Sequence, residues 1–488
     1  MGLITWIKAV WNRLFRKEIE ERFQADIQLS SVMEKAINDY YNITAGKPPW
    51  LDPDDDIESI NFAGYINDVT AGLVTLDLGI EISGGDRAEY LQKQADYVLA
   101  VITDKVSEAL GNCGIMFKPN GDNIDYIEPG SFAPTETDSN GNILGCVFQT
   151  QIHRGEYTYT RLEWHRFEEV TTEDGTSSRV YRITNYAYKK KTKFNISTWQ
   201  YESASNSPGD QIPLTEVKEW ANIEPDISLL NVEMPLFAYF KNPAPNRIDR
   251  TSPLGVPIWH NALKELKDLD IAWSRKSSEV EDSKHMTFVA QAAIQYADQH
   301  GVKLPRFLRG LEMGVDADST VHEHVSTLLT EQRIKDINSI LAMISTKCGF
   351  SQGMFVLDEK TGMMTATQVE ADDQETIRTI KNIRDALQDT ITQLLYGCNV
   401  MDDLYSDTPP ELWETLKEGM SFSFGDITYN YQEDMANWWK YRLQGDVPPW
   451  MYYVKFEKMS EEEAKTMIEE SKAAQMEQET LFSRFQEE

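Results

Sequence analysis

Two groups of residues have types and spacings that suit a metal ion. His322 and His324 stand two positions apart, so on a strand both imidazoles face the same side. The second group is an acidic run whose carboxylates suit a divalent cation: Asp52, Asp54, Asp55 and Asp56. This run lacks the glycine and the final glutamate of an EF-hand loop. Because both groups are also typical of a solvated surface, we expect no metal site in either place.

The motifs of the common catalytic classes are missing from the sequence. The tripeptide Ala-Gly-Lys at 45–47 lacks the upstream glycine and the following Ser or Thr of a phosphate-binding loop. No Gly-x-Ser-x-Gly turn and no dinucleotide-binding glycine pattern occurs. His153 and His165 lie in a strand-rich region, and spacing identifies no Ser or Cys partner for them. We therefore expect no enzyme, with no catalytic residue, no cofactor and no small-molecule substrate.

The composition is that of a folded and strongly acidic chain. It has 488 residues, 47 Lys plus Arg against 79 Asp plus Glu, and a formal net charge of −32. Its 12 Trp, 21 Tyr and 19 Phe favour a packed core over disorder. Such a charge argues against a tight sheath around nucleic acid, whose phosphates need Lys and Arg. It suits a wall past which DNA slides, because acidic groups repel the phosphate backbone.

Two further patterns bear on the class of protein. No run of about 18 apolar residues occurs, which argues against a membrane-spanning helix. Four cysteines lie far apart without a Cys-x-x-Cys pair, which argues against a disulfide framework and a zinc ribbon: Cys113, Cys146, Cys348 and Cys398.

Helical periodicity dominates the first 110 residues. Residues 1–17 form a basic amphipathic stretch, which suits either a membrane surface or a docking site on a protein. Three helices are then expected at 24–45, 60–78 and 87–110, with Val32 on the apolar side of the first.

From about residue 124 to residue 195 the hydrophobic period changes to two. This alternation predicts antiparallel strands at 143–152, 156–167 and 178–189. Asp174-Gly175 is expected to form the turn between the last two. A short buried strand is expected at 234–240.

Three long helices are expected in the second half. The first opens at Ser252-Pro253 and continues to about Asp282. Its apolar stripe consists of Trp259, Ala262, Leu263, Leu266, Leu269 and Trp273. The second covers about 327–347, after short strands at 285–290 and 319–325. The third begins with a capping box at Thr367 and ends at Gly397.

The end of the chain shows two weaker patterns. Residues 420–430 predict a strand pair or a sheet edge. Ser460 and Glu463 form a capping box that opens a last, acidic helix.

Three stretches in this order resemble the portal (head–tail connector) proteins of tailed bacteriophages, of the type found in siphophages and prophages of Gram-positive bacteria. Tyrosine-rich strands at 157–167 and 181–188 are similar to the wing strands of that family. Residues 235–274 resemble the entry into its stem helix, and residues 365–395 resemble its long helix after the tunnel loop.

The resemblance implies an α+β fold with a β-rich wing, long stem helices, a small α/β clip and a helical crown. Carried onto this sequence, the regions are the N-terminal helices and wing 1–251, the first stem helix 252–283, the clip 284–326, the second stem helix 327–347, the tunnel loop 348–366, the long wing helix and return strands 367–439, and the crown 440–488.

The resemblance also implies a function. Portal proteins form a homo-oligomeric ring, a dodecamer in this expectation, at one vertex of the capsid. Double-stranded DNA passes through the ring during packaging and ejection. The implied partners are the terminase large subunit, the head–tail adaptor, and the major capsid and scaffold proteins. The implied location is the portal vertex of the virion, with the host cytoplasm during assembly.

Two sets of residues are candidates for the channel, and each keeps an alternative. Arg275, Lys276 and Lys284 either face the DNA or pair with carboxylates of the stem helices: Asp268, Glu279 and Asp282. Residues of the expected tunnel loop either narrow the bore or pack beneath the loop: Met354, Phe355, Met363 and Met364.

Two other classes of function remain open. A membrane- or scaffold-associated interaction protein would depend on residues 1–17. A metal-dependent phage nuclease would depend on the carboxylates of residues 52–56.

Overall fold

A computed structural model describes most of the chain, which divides into two compact units, residues 1–425 and residues 426–488. The expected α+β class is confirmed, with 47% helix, 23% strand and antiparallel sheets. The described residues are 18–52, 57–121, 123–171, 177–195, 200–202, 208–282, 286–290, 308–311, 321–324, 330–357, 366–405, 410–426, 438–442, 447–457, 459–460 and 462–468. The expectations for residues 1–17, for Asp54 to Asp56 and for Asp174-Gly175 lie outside them.

The elements are numbered here in chain order. The helices are α1 Ser31–Thr44, α2 Phe62–Val74, α3 Asp86–Leu110, α4 Leu263–Asp282, α5 Thr330–Cys348, α6 Ala366–Tyr405, α7 Trp413–Glu418 and α8 Pro449–Glu457. The strands are β1 Gly79–Ile82, β2 Ile115–Asn120, β3 Asn123–Ile127, β4 Phe132–Thr137, β5 Ile143–Arg154, β6 Tyr157–Thr171, β7 Ser177–Lys191, β8 Lys193–Asn195, β9 Gln200–Glu202, β10 Asp210–Ile212, β11 Asp226–Leu229, β12 Ala238–Phe240, β13 Met286–Ala290, β14 Leu308–Leu311, β15 Val321–His324 and β16 Met420–Ser423.

A six-stranded antiparallel sheet forms the centre of the first unit. Its strand order is β10-β7-β6-β5-β4, with β11 also paired to β7. Strands β6 and β7 pair along their whole length, from Tyr157 opposite Lys191 to Thr171 opposite Ser177. The alternation in the sequence therefore predicts the strands correctly, although both are longer than expected. Aromatic and β-branched residues dominate this hairpin because they suit a pleated, half-buried surface.

Helices α2, α3 and α6 pack together beside a smaller sheet of order β12-β2-β3. Helix α3 is buried along one face at helical spacing: Ala88, Leu91, Ala95, Val98, Ile102, Val106 and Ala109. Helix α1 begins at Ser31 rather than at residue 24, and Ser30 caps it by accepting a hydrogen bond from the Met33 amide. Val32 is 55% exposed in its first turn, so its expected place on the apolar side is wrong.

The first long helix of the second half begins later than the sequence predicts. Residues 253–259 are buried but not helical, and α4 starts only at Leu263, after a 3₁₀ turn. Pro257 disfavours the helical conformation at the residue before it. The Gly255 amide donates to the Cys113 carbonyl at 3.1 Å, and the Ile258 amide donates to the Leu110 carbonyl at 3.0 Å. These bonds to the end of α3 replace the first turns of the expected helix.

The expected helix end at Gly397 is wrong. Helix α6 has 40 residues, from Ala366 to Tyr405, and Gly397 lies within it. A side chain at Gly397 would bring its Cβ to 3.1 Å from Pro119 Cγ and to 3.5 Å from Leu236 Cα. Glycine therefore serves here to let α6 approach a neighbouring backbone, which is a different use from ending a helix.

A buried arginine joins α3 to the end of α6. Arg87, 1% exposed, lies in the first turn of α3. Its guanidinium contacts Asp402 at 3.1 Å and Asp403 at 2.8 Å, and it donates to the Asn399 carbonyl at 2.9 Å. A cation at the C-terminal end of a helix also meets the negative end of the helix dipole.

The second unit contains a short helix at 438–442, α8, and a helix at 462–468. The capping box expected at the start of the helix at 462–468 is confirmed. The Ser460 amide donates to Glu463 Oε2 at 3.0 Å, and the Glu463 amide donates to Ser460 Oγ at 3.3 Å.

Candidate functional site

Helices α4 and α5 form an antiparallel pair joined at both ends by ion pairs. Glu279 binds Arg333 at 2.9 Å near one end, and Glu265 binds Lys347 at 2.6 Å near the other. Each helix turns an apolar stripe inward: Leu266 and Leu269 from α4, and Ile337, Leu341 and Ile344 from α5. Most other charged side chains of the two helices remain exposed or partly exposed, and Asp270 is the buried exception among the described residues.

The three basic candidates have different surroundings. Arg275 is exposed, and no described carboxylate lies within ion-pair distance of it. Lys276 lies over the ring of Trp273, with its Nζ 4.4 Å from the ring centroid. Glu279, an expected partner, binds Arg333 at 2.9 Å. Lys284 and the side chain of Asp282 lie outside the described residues.

The buried stripe of α4 ends in polar residues. Trp273 is only half-buried, whereas Asp270 and Ser274 are buried. Asp270 accepts hydrogen bonds from Trp50 Nε1 at 2.9 Å and from the Ile60 amide at 3.1 Å. Burial raises the pKa of Asp270 above its ordinary value, against the opposing effect of these bonds. Asp270 thus holds the chain on both sides of the acidic run, at Trp50 and at Ile60, on α4.

The first part of the expected tunnel loop, residues 349–357, folds against the body of the subunit. Phe355 is 6% exposed. Its ring lies 5.5 Å from Phe62, 6.1 Å from Tyr65 and 5.6 Å from Phe350, each edge-on. Phe355 therefore has the packed arrangement within the subunit. Met354 is half-buried, and Met363 and Met364 lie outside the described residues.

Hydrogen bonds fix the base of this loop to α5 and α6. Gly349 adopts a φ of +82°, and its carbonyl accepts from Thr379 Oγ1 at 2.5 Å. The Ser351 amide donates to Thr376 Oγ1 at 2.9 Å. The Leu357 amide donates to Asn338 Oδ1 at 3.0 Å. Both helices hence determine where the loop starts.

Replacing Phe355 with alanine should lower the free energy of unfolding by about 3 kcal/mol, because a buried ring is lost and a cavity remains. The matched control is Leu357→Ala, since Leu357 is 53% exposed and its removal should change stability by less than about 0.5 kcal/mol. Urea unfolding of both variants measures the difference. Equal, small losses would place the Phe355 ring in solvent and contradict this packing.

A small three-stranded sheet lies between α4 and α5 in the sequence. Strand β13 is central, with β14 parallel on one side and β15 antiparallel on the other. His322 pairs with Phe288 and His324 with Met286 in the backbone register. Among the described residues, no three or more His, Cys, Asp or Glu side chains are grouped as metal ligands require.

A cluster of titratable side chains is enclosed within the central sheet. Glu163 Oε2 accepts from Lys118 Nζ at 2.7 Å and from Arg161 Nη2 at 2.9 Å. Glu163 Oε1 lies 2.8 Å from His165 Nε2, and His165 Nδ1 lies 2.9 Å from the Tyr181 hydroxyl. All five side chains are buried. These contacts connect strand β2 with strands β6 and β7.

The hydrogen bonds accommodate a neutral His165. In that state the Tyr181 hydroxyl accepts from the Leu236 amide at 3.1 Å and donates to His165 Nδ1 at 2.9 Å. His165 Nε2 then carries the proton and donates to Glu163. Burial lowers the pKa of His165, in agreement with this state. Burial favours a raised pKa at Glu163, but Lys118 and Arg161 hold it well below its usual range.

Stability should therefore fall as the pH falls from 7 to 5. Below about pH 6.5, His165 binds a proton in the unfolded state but stays neutral in the folded state. The free energy of unfolding therefore falls, by up to about 1.4 kcal/mol for each unit by which folding lowers the pKa of His165. His153 and His260 also have pKa values lowered by burial and act in the same direction. Urea unfolding at several pH values measures the slope. His165→Gln should reduce this slope, and an unchanged slope would assign it to the other histidines.

The four cysteines are buried thiols. Burial raises the pKa of Cys348 and of Cys398 to about 12, and it raises the pKa of Cys113 and Cys146 further above the ordinary value. A thiolate nucleophile therefore does not form at neutral pH.

The sequence alone missed the polar contacts that organise these regions. Glu163 and His165 stand two positions apart on one strand, which is the signal that they share a face. Asp270 lies in an otherwise apolar stripe at helical spacing. No local pattern connects Asp270 with Trp50 or Arg87 with Asp403, because these partners are far apart in the chain.

Comparison with models of known protein families finds no family that matches this chain. A search of curated proteins also finds no match. None of the helices in the described part of the chain combines the length and the apolar composition that crossing a bilayer needs.

Proposed function

We propose that this chain is the subunit of a phage portal, a ring that forms a channel for DNA at one vertex of a capsid. One arrangement of elements carries this proposal. An antiparallel helix pair, α4 and α5, has a small three-stranded sheet inserted between its helices. A loop anchored at its base then leads into the 40-residue helix α6, which packs against α2 and α3. The portal family has this order of stem, clip, stem, tunnel loop and long helix.

Charge supports a channel rather than a nucleic-acid sheath. Each subunit has a formal charge of −32, and a ring of such subunits presents an acidic surface to DNA. The outward side of α4 is locally basic, with Lys264, Lys267 and Arg275 all exposed. A few cations on an acidic wall give phosphates transient contacts without strong retention.

The proposal assigns partners to regions of the subunit. The small sheet between α4 and α5 corresponds to the clip, where the terminase large subunit docks first and the head–tail adaptor docks later. Major capsid and scaffold proteins are further proposed partners. A head-to-tail ring needs two different complementary faces on each subunit, so the neighbouring copies are also partners. The virion vertex is the proposed location, reached from the host cytoplasm during assembly.

The mass of the purified particle tests the proposal. The subunit has a mass of 55.9 kDa, so twelve copies should give about 670 kDa by light scattering. Negative-stain images of the same sample should show rings with a central hole. A protein that stays monomeric even when expressed with its phage scaffold and capsid proteins would overturn the proposal.

Reversing the charge at Arg275 should reduce DNA packaging several-fold while the ring mass stays the same. Arg275→Glu removes an exposed cation of α4 and adds an anion that repels phosphate. Lys276→Glu should act in the same direction, with an additional small loss of the contact to Trp273. The control is Lys381→Glu, an equal charge change on exposed α6 surface. Nuclease-protected DNA per particle is the measurement, and normal packaging would remove Arg275 and Lys276 from the channel.

A further inference from the structure

The second unit carries a surface on which cations stack against aromatic rings. Among its described residues, three cations each lie near a tryptophan ring: Arg442 lies 4.5 Å from the Trp439 ring centroid, Lys455 lies 4.4 Å from that of Trp438, and Lys465 lies 4.8 Å from that of Trp450. We call these residues, together with Tyr452 and Tyr453, the cation–aromatic surface. Cation–ring contacts are strongest where water is excluded, so a ligand that covers these residues and displaces water strengthens the contacts.

Arg442 is the centre of this surface. Its guanidinium also lies 4.8 Å from the Tyr453 ring and 5.8 Å from the Tyr452 ring. The Nη1 atom is buried and has no hydrogen-bond partner among the described residues. A buried N–H of a charged group without an acceptor costs free energy, which a carboxylate removes by binding there. Trp439 nevertheless remains 42% exposed, so the rim of the site is open to a ligand.

The last twenty residues of the chain are rich in carboxylates. Residues 469–488 contain six glutamates against one lysine and one arginine. They also contain apolar side chains that suit aromatic neighbours: Leu481, Phe482 and Phe485. We propose that the acidic segment 469–488 binds the cation–aromatic surface of its own subunit, with a glutamate at Arg442 and apolar residues against Trp439.

Continuity of the chain favours the segment of the same subunit. The helix at 462–468 lies beside the surface, because Lys465 contacts Trp450. The segment therefore begins next to its site, at an effective concentration of order millimolar that a separate molecule rarely matches. Charge complementarity gives the contact a salt dependence, since partly exposed ion pairs are screened at high ionic strength.

Hydrogen exchange on the full chain tests this inference. The variant E469Q/E470Q/E477Q/E479Q should exchange about tenfold faster at the amides of 438–442 and 449–457, as should the wild type in high salt. The control variant, with equal charge loss, is E81Q/E331Q/E414Q/E418Q, at four exposed sites of the first unit. It should leave the exchange of these amides unchanged. Unchanged exchange in α3 of every variant shows that the fold is retained.

Arg442→Gln separates binding of the segment from loss of local packing. If a glutamate binds Arg442, adding the four segment substitutions to Arg442→Gln should cause little further acceleration, because both changes break one interaction. Full additivity would overturn the inference. So would unchanged exchange in the segment variant, or acceleration of the wild type on dilution, which would assign the segment to a neighbouring copy. These outcomes do not depend on whether the particle is a portal.

Discussion

Replacing Glu163 with alanine should lower the free energy of unfolding by about 5 kcal/mol. The substitution leaves Lys118 and Arg161 buried without their shared carboxylate. Removal of one partner from a buried ion pair is strongly destabilising. Lys118 keeps only Asp125, at 3.7 Å, and Arg161 keeps no described carboxylate within ion-pair distance. It also removes the acceptor for His165 Nε2. Urea unfolding monitored by tryptophan fluorescence gives the difference in free energy.

The control for Glu163 is a glutamate in a similar strand region but at the surface. Glu156 binds Lys191 at 3.0 Å, and its side chain is 68% exposed. Glu156→Ala should cost less than about 1 kcal/mol, since water solvates the lysine that remains. Comparable losses of unfolding free energy in the two variants would mean that water reaches the Glu163 cluster, in contradiction to its burial.

Replacing Arg87 with alanine should lower the free energy of unfolding by about 4 kcal/mol. The change leaves Asp402, with a side chain only 10% exposed, without this ion pair, and it removes the donor to the Asn399 carbonyl. The loss is smaller than at Glu163 because Asp403 is 37% exposed and can be solvated. A cavity between α3 and α6 adds to the cost.

Arg22→Ala is the matched control for Arg87. Arg22 binds Glu18 at 3.1 Å with a side chain that is 49% exposed, so its loss should change stability by less than about 1 kcal/mol. If Arg87→Ala were equally mild, the two aspartates would have to be stabilised by other contacts.

The strands of the central sheet could be predicted from the sequence because their signal is local. Alternation along 156–167 and 178–189 repeats every two residues, and the hairpin extends the same pairing at both ends. The ends of the helices could not be predicted in the same way. Local rules predict that a helix ends at Gly397. In the structure Gly397 lies within α6, at a close approach to the backbone of Leu236 that only the folded chain creates.

The same limit applies to the candidate site. Phe355 has an apolar side chain that fits both a pore wall and a core, and only the approach of Phe62 and Phe350 decides between them. The sequence offers Lys276 carboxylate partners on the stem helices, whereas in the structure its neighbour is the aromatic ring of Trp273, three residues earlier on the same helix. The assignment of regions to wing, stem, clip, tunnel loop and crown stays a prediction.

The anchoring of the loop to α6 has a mechanical consequence. A continuous 40-residue helix is about 60 Å long and is stiff along its axis. Thr376 and Thr379 bind the loop base near one end of it, and Arg87 holds the other end. Residues 349–351 and the Arg87 contacts are therefore held at a fixed separation along one helix. A displacement of the loop base is transmitted toward Arg87 to the extent that this helix resists bending.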